Sequence, residues 1–341
     1  MWDYLKSVDK PIVLYGMGDG ADKILNRLNS LEIEVSGVFA SDGFVRHQNF
    51  RGFEVMSYKE AKEKFGNMIV LLCFGSQLPD VINKVINISK EQELYAPDVP
   101  VFGEDTFDIN YAKSHKSELE KVYSILSDEK SKQVFKYVIN YKLSGKIDYL
   151  INCQTYKKDD FDNILRLNNH EIFMDLGAYK GDTIEEFLQY TDNYQKIYAV
   201  EPNPKSFSKL LKNTESLENC ICINTGIYSK KDVLPFNNKS GRNSAVSNTG
   251  NFLPVDSIDN ILNGQPVTYI KMDLEGQESN AIDGANNTIL KYKPKLLISA
   301  YHRNEDLFSI PLKILSIRDD YKVYLRHNPY IPAWDTNFYF I

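Results

Sequence analysis

Two stretches of the chain share one pattern: a short β-branched apolar run, a glycine turn, then apolar residues at helical spacing. The first reads Pro11-Ile-Val-Leu-Tyr-Gly16-Met-Gly18-Asp-Gly20-Ala21 and continues into Ile24, Leu25, Leu28 and Leu31. Apolar runs at 34–39 and 68–74 read as further strands, and 81–88 as another helix. This alternation predicts a small Rossmann-like parallel α/β domain over residues 1–102. The text then changes. Leu119, Val122, Tyr123, Leu126, Phe135, Val138 and Ile139 fall at helical spacings among many lysines, so a helical connector is expected over 103–165.

The second α/β pattern opens at Glu171-Ile-Phe-Met-Asp175-Leu-Gly177-Ala-Tyr-Lys-Gly181-Asp182. A helix over 183–190, a strand over 196–201, a helix opened by Pro204 and a strand over 220–227 follow. The runs 267–273 and 295–301 read as buried parallel strands, and 321–326 with 337–341 as a closing pair. Residues 166–341 are thus expected to form a doubly wound sheet, with its ligand at the carboxyl ends of the strands.

Composition narrows the partners. Forty basic against 46 acidic residues give a net charge of −6, the wrong sign for a broad grip on phosphate backbones, so nucleic acid is not expected. The longest apolar run, 68–74, is far short of the ~20 residues that span a bilayer, and residues 1–10 lack the apolar centre of a secretory signal. Cys73, Cys153, Cys220 and Cys222 show no metal or disulfide spacing and read as reduced thiols, which suits a cytoplasmic protein. Oligomeric state is not legible.

The second glycine turn carries the chemistry. A dinucleotide fingerprint sets glycine directly after the strand so that pyrophosphate meets a helix N-terminus. Here Asp175 stands at the strand end instead, where its charge repels pyrophosphate and suits an ammonium and a sulfonium. S-adenosyl-L-methionine has both and no phosphate. Gly177 and Gly181 let the backbone approach its amino-acid part, Glu201 ends the next strand where a carboxylate accepts from ribose hydroxyls, and Asn203, after Pro202, is counted with the cofactor-binding residues. Asp182 reads as a helix cap.

These residues carry a resemblance. Phe173-Met-Asp-Leu-Gly-Ala-Tyr-Lys-Gly-Asp182, Tyr198-Ala-Val-Glu-Pro-Asn203, Ile270-Lys-Met-Asp-Leu-Glu-Gly-Gln-Glu278 and Ser299-Ala-Tyr-His302 resemble the FkbM family of S-adenosylmethionine-dependent methyltransferases. The third string matches the family's Lys-x-Asp-x-Glu-Gly-x-Glu signature at every marked position. The resemblance covers about residues 166–341 and implies a class I methyltransferase fold. It also implies methyl transfer to a hydroxyl of a sugar, glycan or secondary metabolite, and the preceding α/β domain with its helical connector resembles an arrangement in some bacterial members, often encoded beside surface-polysaccharide genes.

Methyl transfer is an in-line displacement, so placing an oxygen about 3 Å from the methyl supplies much of the rate. Lys271, Asp273 and Glu275 share one side if strand geometry persists. Asp273 is the first candidate for general base or substrate orienter, His302 at the next strand end the second, and Glu275 the third. Glu275 and Glu278 also suit a first helical turn. Only Asp273 and Glu275 offer oxygens to a cation, so no metal is expected. The polar segment 237–250, with Arg242, reads as a lid or substrate loop.

The first glycine turn supports a rival. Gly16-Met-Gly18-Asp-Gly20-Ala21 fits G-x-G-x-x-G/A, and Asp42 stands where a ribose carboxylate would be, which suggests an NAD- or nucleotide-sugar-dependent enzyme. Asp19 and Asp22 oppose that reading, because they flank the helix N-terminus where the pyrophosphate would lie.

Overall fold

The computed structural model describes residues 1–103, 105–238, 244–246 and 251–341. Its first sheet is built from β1 (Ile12–Tyr15), β2 (Gly37–Ala40), β3 (Asn49–Phe50), β4 (Phe53–Ser57), β5 (Ile69–Leu72) and β6 (Glu93–Tyr95). The order is β3-β4-β2-β1-β5-β6, parallel except for β3. Every residue of β1, β2 and β5 is buried, as strands covered on both faces must be. The β3–β4 hairpin is an addition to the expected strands. Its turn places Arg51 at φ 52° and Gly52 at φ 91°, the left-handed pair that matches hairpin twist.

Helices fill most of 109–165, including Lys116–Ile125 and Glu129–Ser144. Asp128 caps the latter through the Ser131 N–H at 2.7 Å and also pairs with Arg326 at 2.6 Å, which fastens this segment to the last sheet.

That sheet contains β7 (Ile172–Leu176), β8 (Lys196–Val200) and β9 (Cys220–Ile223). A smaller sheet follows, from β10 (Gly226–Ile227), β11 (Asp232–Asn238), β12 (Ser244–Val246) and β13 (Asn251–Asp256). The large sheet is completed by β14 (Tyr269–Met272), β15 (Lys295–Ser299), β16 (Val323–His327) and β17 (Thr336–Phe340). Its order is β16-β17-β15-β14-β7-β8-β9, with β17 antiparallel to both neighbours. This is the doubly wound α/β arrangement expected of a class I methyltransferase. The run expected as one strand over 220–227 divides at Asn224-Thr225 between the two sheets.

The carboxyl edges of the two large sheets face each other. Ser76, just past β5, exchanges backbone hydrogen bonds of 2.9 and 3.1 Å with Ile331 in the turn between β16 and β17. Gly75 lies so close under Trp334 that a Cβ would come within 2.6 Å of the indole ring. Lys142 bridges Asp98 at 2.8 Å and Asn304 at 3.2 Å, and one apolar core runs from Val13 and Val70 through Val138 to Met272 and Phe340.

Candidate active site

A cavity of about 560 Å³ opens at the carboxyl ends of β7, β8, β14 and β15, the position doubly wound sheets use for ligands. Its floor is the second glycine turn. Gly177 has φ 81° and Gly181 φ 95°. A Cβ on Gly177 would stand 2.2 Å from the Asp273 carbonyl oxygen, so only glycine fits. Gly181 caps the helix Asp182–Phe187, and Asp182 is its first residue rather than its cap.

Glu201 follows β8 and lines the cavity. One carboxylate oxygen accepts the Tyr179 N–H at 2.9 Å and the other the Asn203 N–H at 2.8 Å. Burial pushes the acid up to about 7, against those two hydrogen bonds. Each oxygen keeps acceptor capacity for another donor. Asn203 caps the helix Pro204–Thr214 through its side-chain oxygen, which accepts from Lys205 and Ser206. Gly226, Ile227, Leu253 and Val255, from the small sheet, add an apolar wall to the cavity, one that no local sequence pattern marks.

Asp175 lies beneath the cavity rather than on its wall. It is fully buried, 3.4 Å from the Lys271 ammonium, and neither carboxylate oxygen has an aligned hydrogen-bond donor. Burial raises it to about 6, with Lys271 opposing. Lys271 does line the cavity, 3.4 Å from the Gly177 carbonyl and 3.9 Å from Asp273. Its burial favours the neutral amine, but Asp175 and Asp273 outweigh that and keep it above its ordinary value. Asp175 therefore acts on the cavity through Lys271.

Past β14 the chain makes a left-handed turn, with Glu275 at φ 52° and Gly276 at φ 85°, before the helix Glu278–Asp283. Glu275 thus precedes that helix and Glu278 begins it. Asp273, a third exposed, accepts from the Tyr301 hydroxyl at 3.1 Å. His302, 1% exposed, stands among three acids: Nε2 lies 3.4 Å from Asp273 and 3.5 Å from Glu275, and Nδ1 2.8 Å from Glu278. Burial opposes its charge, yet Glu278, Asp273 and Glu275 outweigh burial and push it up to about 10. At neutral pH His302 is an imidazolium, with no lone pair to take a proton. Asp273 is held below its ordinary value: burial opposes ionisation, and Lys271 and His302 overcome it.

Asp273, Glu278 and His302 bring ligand-capable atoms within 4.8 Å of one another, so the expectation that too few groups converge for a metal loses its premise. Glu278, however, does not line the cavity, and one of its oxygens accepts both the Leu274 N–H and the His302 ring nitrogen.

The helical segment before β7 and the loop after β5 also reach the cavity. Lys157 and Phe161 line it beside Glu186, Gln77 enters from the loop after β5, and Tyr330 and Trp334 from the turn before β17. None of these carries a local sequence signal, because each is brought in by packing between distant segments. Arg242, and most of the loop expected over 237–250, lie outside the described residues.

At the first glycine turn, a Cβ on Gly20 would sit 2.2 Å from the Cys73 carbonyl, so this glycine serves helix–strand contact. Asp22 is held by Arg51 through two bonds of 2.7 and 3.1 Å. Lys23 donates to the Pro100 and Val101 carbonyls, tying down the chain as it leaves the domain. Among the described residues no helix is long and apolar enough to cross a membrane.

The fold has a counterpart among solved structures. The chain superimposes on the crystal structure of Methyltransferase FkbM from Methylobacillus flagellatus with a TM-score of 0.75 and 22% identity, over 97% of this chain and 90% of that one. At that identity the likeness concerns the fold. Partial overlaps occur with Aeropyrum pernix fibrillarin in complex with S-adenosyl-L-methionine (TM-score 0.33, 12% identity, 51% of this chain and 67% of that one). An rRNA methylase from Streptococcus thermophilus overlaps similarly (TM-score 0.35, 13% identity, 51% and 87%). No curated protein matches the chain. The Methyltransferase FkbM domain matches residues 175–322, the segment that carries the glycine loop, Glu201, Lys271 and the acidic turn.

Proposed function

We propose that the protein is an S-adenosylmethionine-dependent O-methyltransferase acting on a hydroxyl of a sugar, glycan or secondary metabolite. The observation that carries this reading is Glu201: a carboxylate at the rim of a cavity over a glycine loop, both oxygens fixed by backbone N–H groups and aimed for further donors. The site fits the cofactor in two further respects. Only glycine is tolerated at 177, and the buried Asp175–Lys271 pair keeps the floor from presenting a bare positive charge to a cationic ligand. When bound, S-adenosylmethionine supplies an electrophilic methyl group.

The chain's residues do the rest. Glu201 accepts from the ribose hydroxyls, and Gly177 and Gly181 allow close backbone approach. Asp273, ionised and partly exposed, would accept a hydrogen bond from the acceptor hydroxyl and take its proton as that oxygen displaces the thioether from the methyl carbon, S-adenosylhomocysteine being the group that leaves. Glu275 lies on the same wall as the alternative acceptor. The His302 imidazolium holds both carboxylates in place, with Glu278 holding the ring from behind. Trp334 and Tyr330 offer flat faces on which a sugar ring can lie.

Calorimetry on the full chain with S-adenosylmethionine and S-adenosylhomocysteine tests the cofactor, with binding of both expected. No heat and no melting shift at millimolar ligand would refute it. Transfer of a labelled methyl group, with the product's bond identified by nuclear magnetic resonance, tests the oxygen acceptor.

A further inference from the structure

The cofactor assigned above carries a carboxylate as well as two positive centres, and a carboxylate in an acid-lined cavity needs a cation. Among the described residues lining the cavity, the basic side chains are Lys157, Lys271 and His302. Two of them are committed. His302 is enclosed by Asp273, Glu275 and Glu278, and Lys271 by Asp175, Asp273 and the Gly177 carbonyl, with only 11% of its side chain exposed.

Lys157 differs. Its side chain is 40% exposed, lies 3.2 and 3.4 Å from the two Glu186 carboxylate oxygens and 3.9 Å from Asp335, and lines the cavity. Glu186 lies one turn into the helix Asp182–Phe187, which begins directly after Gly181, so Lys157 stands about a helical turn from the glycine loop, within reach of a carboxylate on a ligand whose amino-acid part rests there. It is also well anchored. Lys157 opens the short helix Lys157–Asp160. At that helix's end, Asp160 is fixed by Arg326 at 3.3 Å and by the Asn328 amide at 3.1 Å, and Phe161 stacks on Tyr190 at 4.0 Å.

We propose that Lys157, which lies outside the FkbM-matched segment, binds the carboxylate of S-adenosylmethionine. The ammonium keeps its contact with Glu186 and exchanges its loose contact with Asp335 for a charge-assisted hydrogen bond to the ligand. The helical connector is therefore part of the cofactor site and not only a spacer. This inference rests on the cofactor reading above, and the test separates the two.

The experiment measures binding of S-adenosylhomocysteine and of its decarboxylated analogue, which keeps the ammonium and lacks only the carboxylate, to the full-length wild type, Lys157→Met and Lys157→Arg. Lys157→Met should weaken S-adenosylhomocysteine by about tenfold or more and the decarboxylated analogue by less than about twofold, while Lys157→Arg stays within about threefold for both. An equal loss for both ligands, as a misfolded wall would cause, overturns the proposal, as does unchanged binding of S-adenosylhomocysteine. Failure of the wild type to bind S-adenosylhomocysteine at all refutes the cofactor reading itself.

Discussion

The affinity for S-adenosylhomocysteine should depend on pH through one residue. Glu201 is raised to about 7 by burial, and a protonated acid cannot serve two ribose hydroxyls as a charged acceptor. With a pKa of about 7, roughly nine-tenths of Glu201 is ionised at pH 8 and roughly one-tenth at pH 6. If binding selects the ionised form, affinity falls about tenfold between those values, or ~1.4 kcal/mol. Glu201→Gln removes the charge and turns an amide N–H₂ toward one of the two backbone donors, Tyr179 or Asn203. It should therefore weaken binding at pH 8 by ~1–3 kcal/mol, with no step between pH 6 and 8.

Calorimetry across about pH 5.5 to 8.5 on both proteins decides it. Asp175, raised to about 6, can add a slope at the acid end, but that slope survives in Glu201→Gln, whereas the step near 7 does not. The folded pKa of Glu201 lies above its ordinary value, so ionising it costs the ligand-free fold stability as pH rises through about 4.5 to 7, and ligand binding relieves that cost. The melting shift given by S-adenosylhomocysteine should grow over the same range. A flat wild-type profile, or an identical step in the variant, would refute the assignment of Glu201 to the ribose.

Four further outcomes follow from the site. Asp273→Asn should leave S-adenosylhomocysteine affinity within about twofold and cut turnover by about 10²; lost cofactor binding would reassign that carboxylate to the cofactor pocket. His302 is raised to about 10 from 6.5, so its stabilisation is complete below about pH 6.5 and lost as pH rises through 10. The wild type should melt progressively lower over that window and His302→Gln should not share that slope; parallel curves would show that the imidazolium is not what binds the three acids together. A chelator should leave the rate unchanged, since Glu278 faces the ring and the Leu274 N–H rather than the cavity; loss of activity restored by a divalent cation would show a working metal site. NADH fluorescence should be unaffected by the full chain, because the carboxyl edge of the first sheet is packed against Ile331 and Trp334, and micromolar affinity would revive the nucleotide reading.

The parts of the fold legible in the sequence were those with local causes. Ile12–Tyr15 and Ile69–Leu72 are continuous apolar runs because helices cover both faces of their sheet, and Gly177 and Gly181 stand where the backbone turns left-handed. The split of 220–227 between two sheets had a weak local signal, since Asn224-Thr225 interrupts the apolar run and Asn224 donates to the Glu201 carbonyl at 2.7 Å. The β3–β4 hairpin had less, because a two-residue strand has no period to detect.

Charge states at the site were out of reach for a different reason. The identities of Asp273, Glu275 and His302 can be read from the chain, but the state of His302 is a property of what surrounds it. Three acids from the turn after β14 and from the following helix converge on one buried ring after β15, and only that convergence turns a nominal base into a fixed cation. Lys157 makes the same point from the opposite side. Within its own segment it is one lysine among many, and it gains a specific place only because Asp160 is gripped by Arg326 and Asn328 about 170 residues away along the chain. The cavity is walled by Lys157 and Phe161 from the segment before β7, by Gln77 after β5 and by the turn holding Tyr330 and Trp334. The first sheet packs its carboxyl edge onto that turn through Gly75 and Ser76, so the edge that would bind a nucleotide in an isolated Rossmann-like domain is used here to shape the far wall of the cavity.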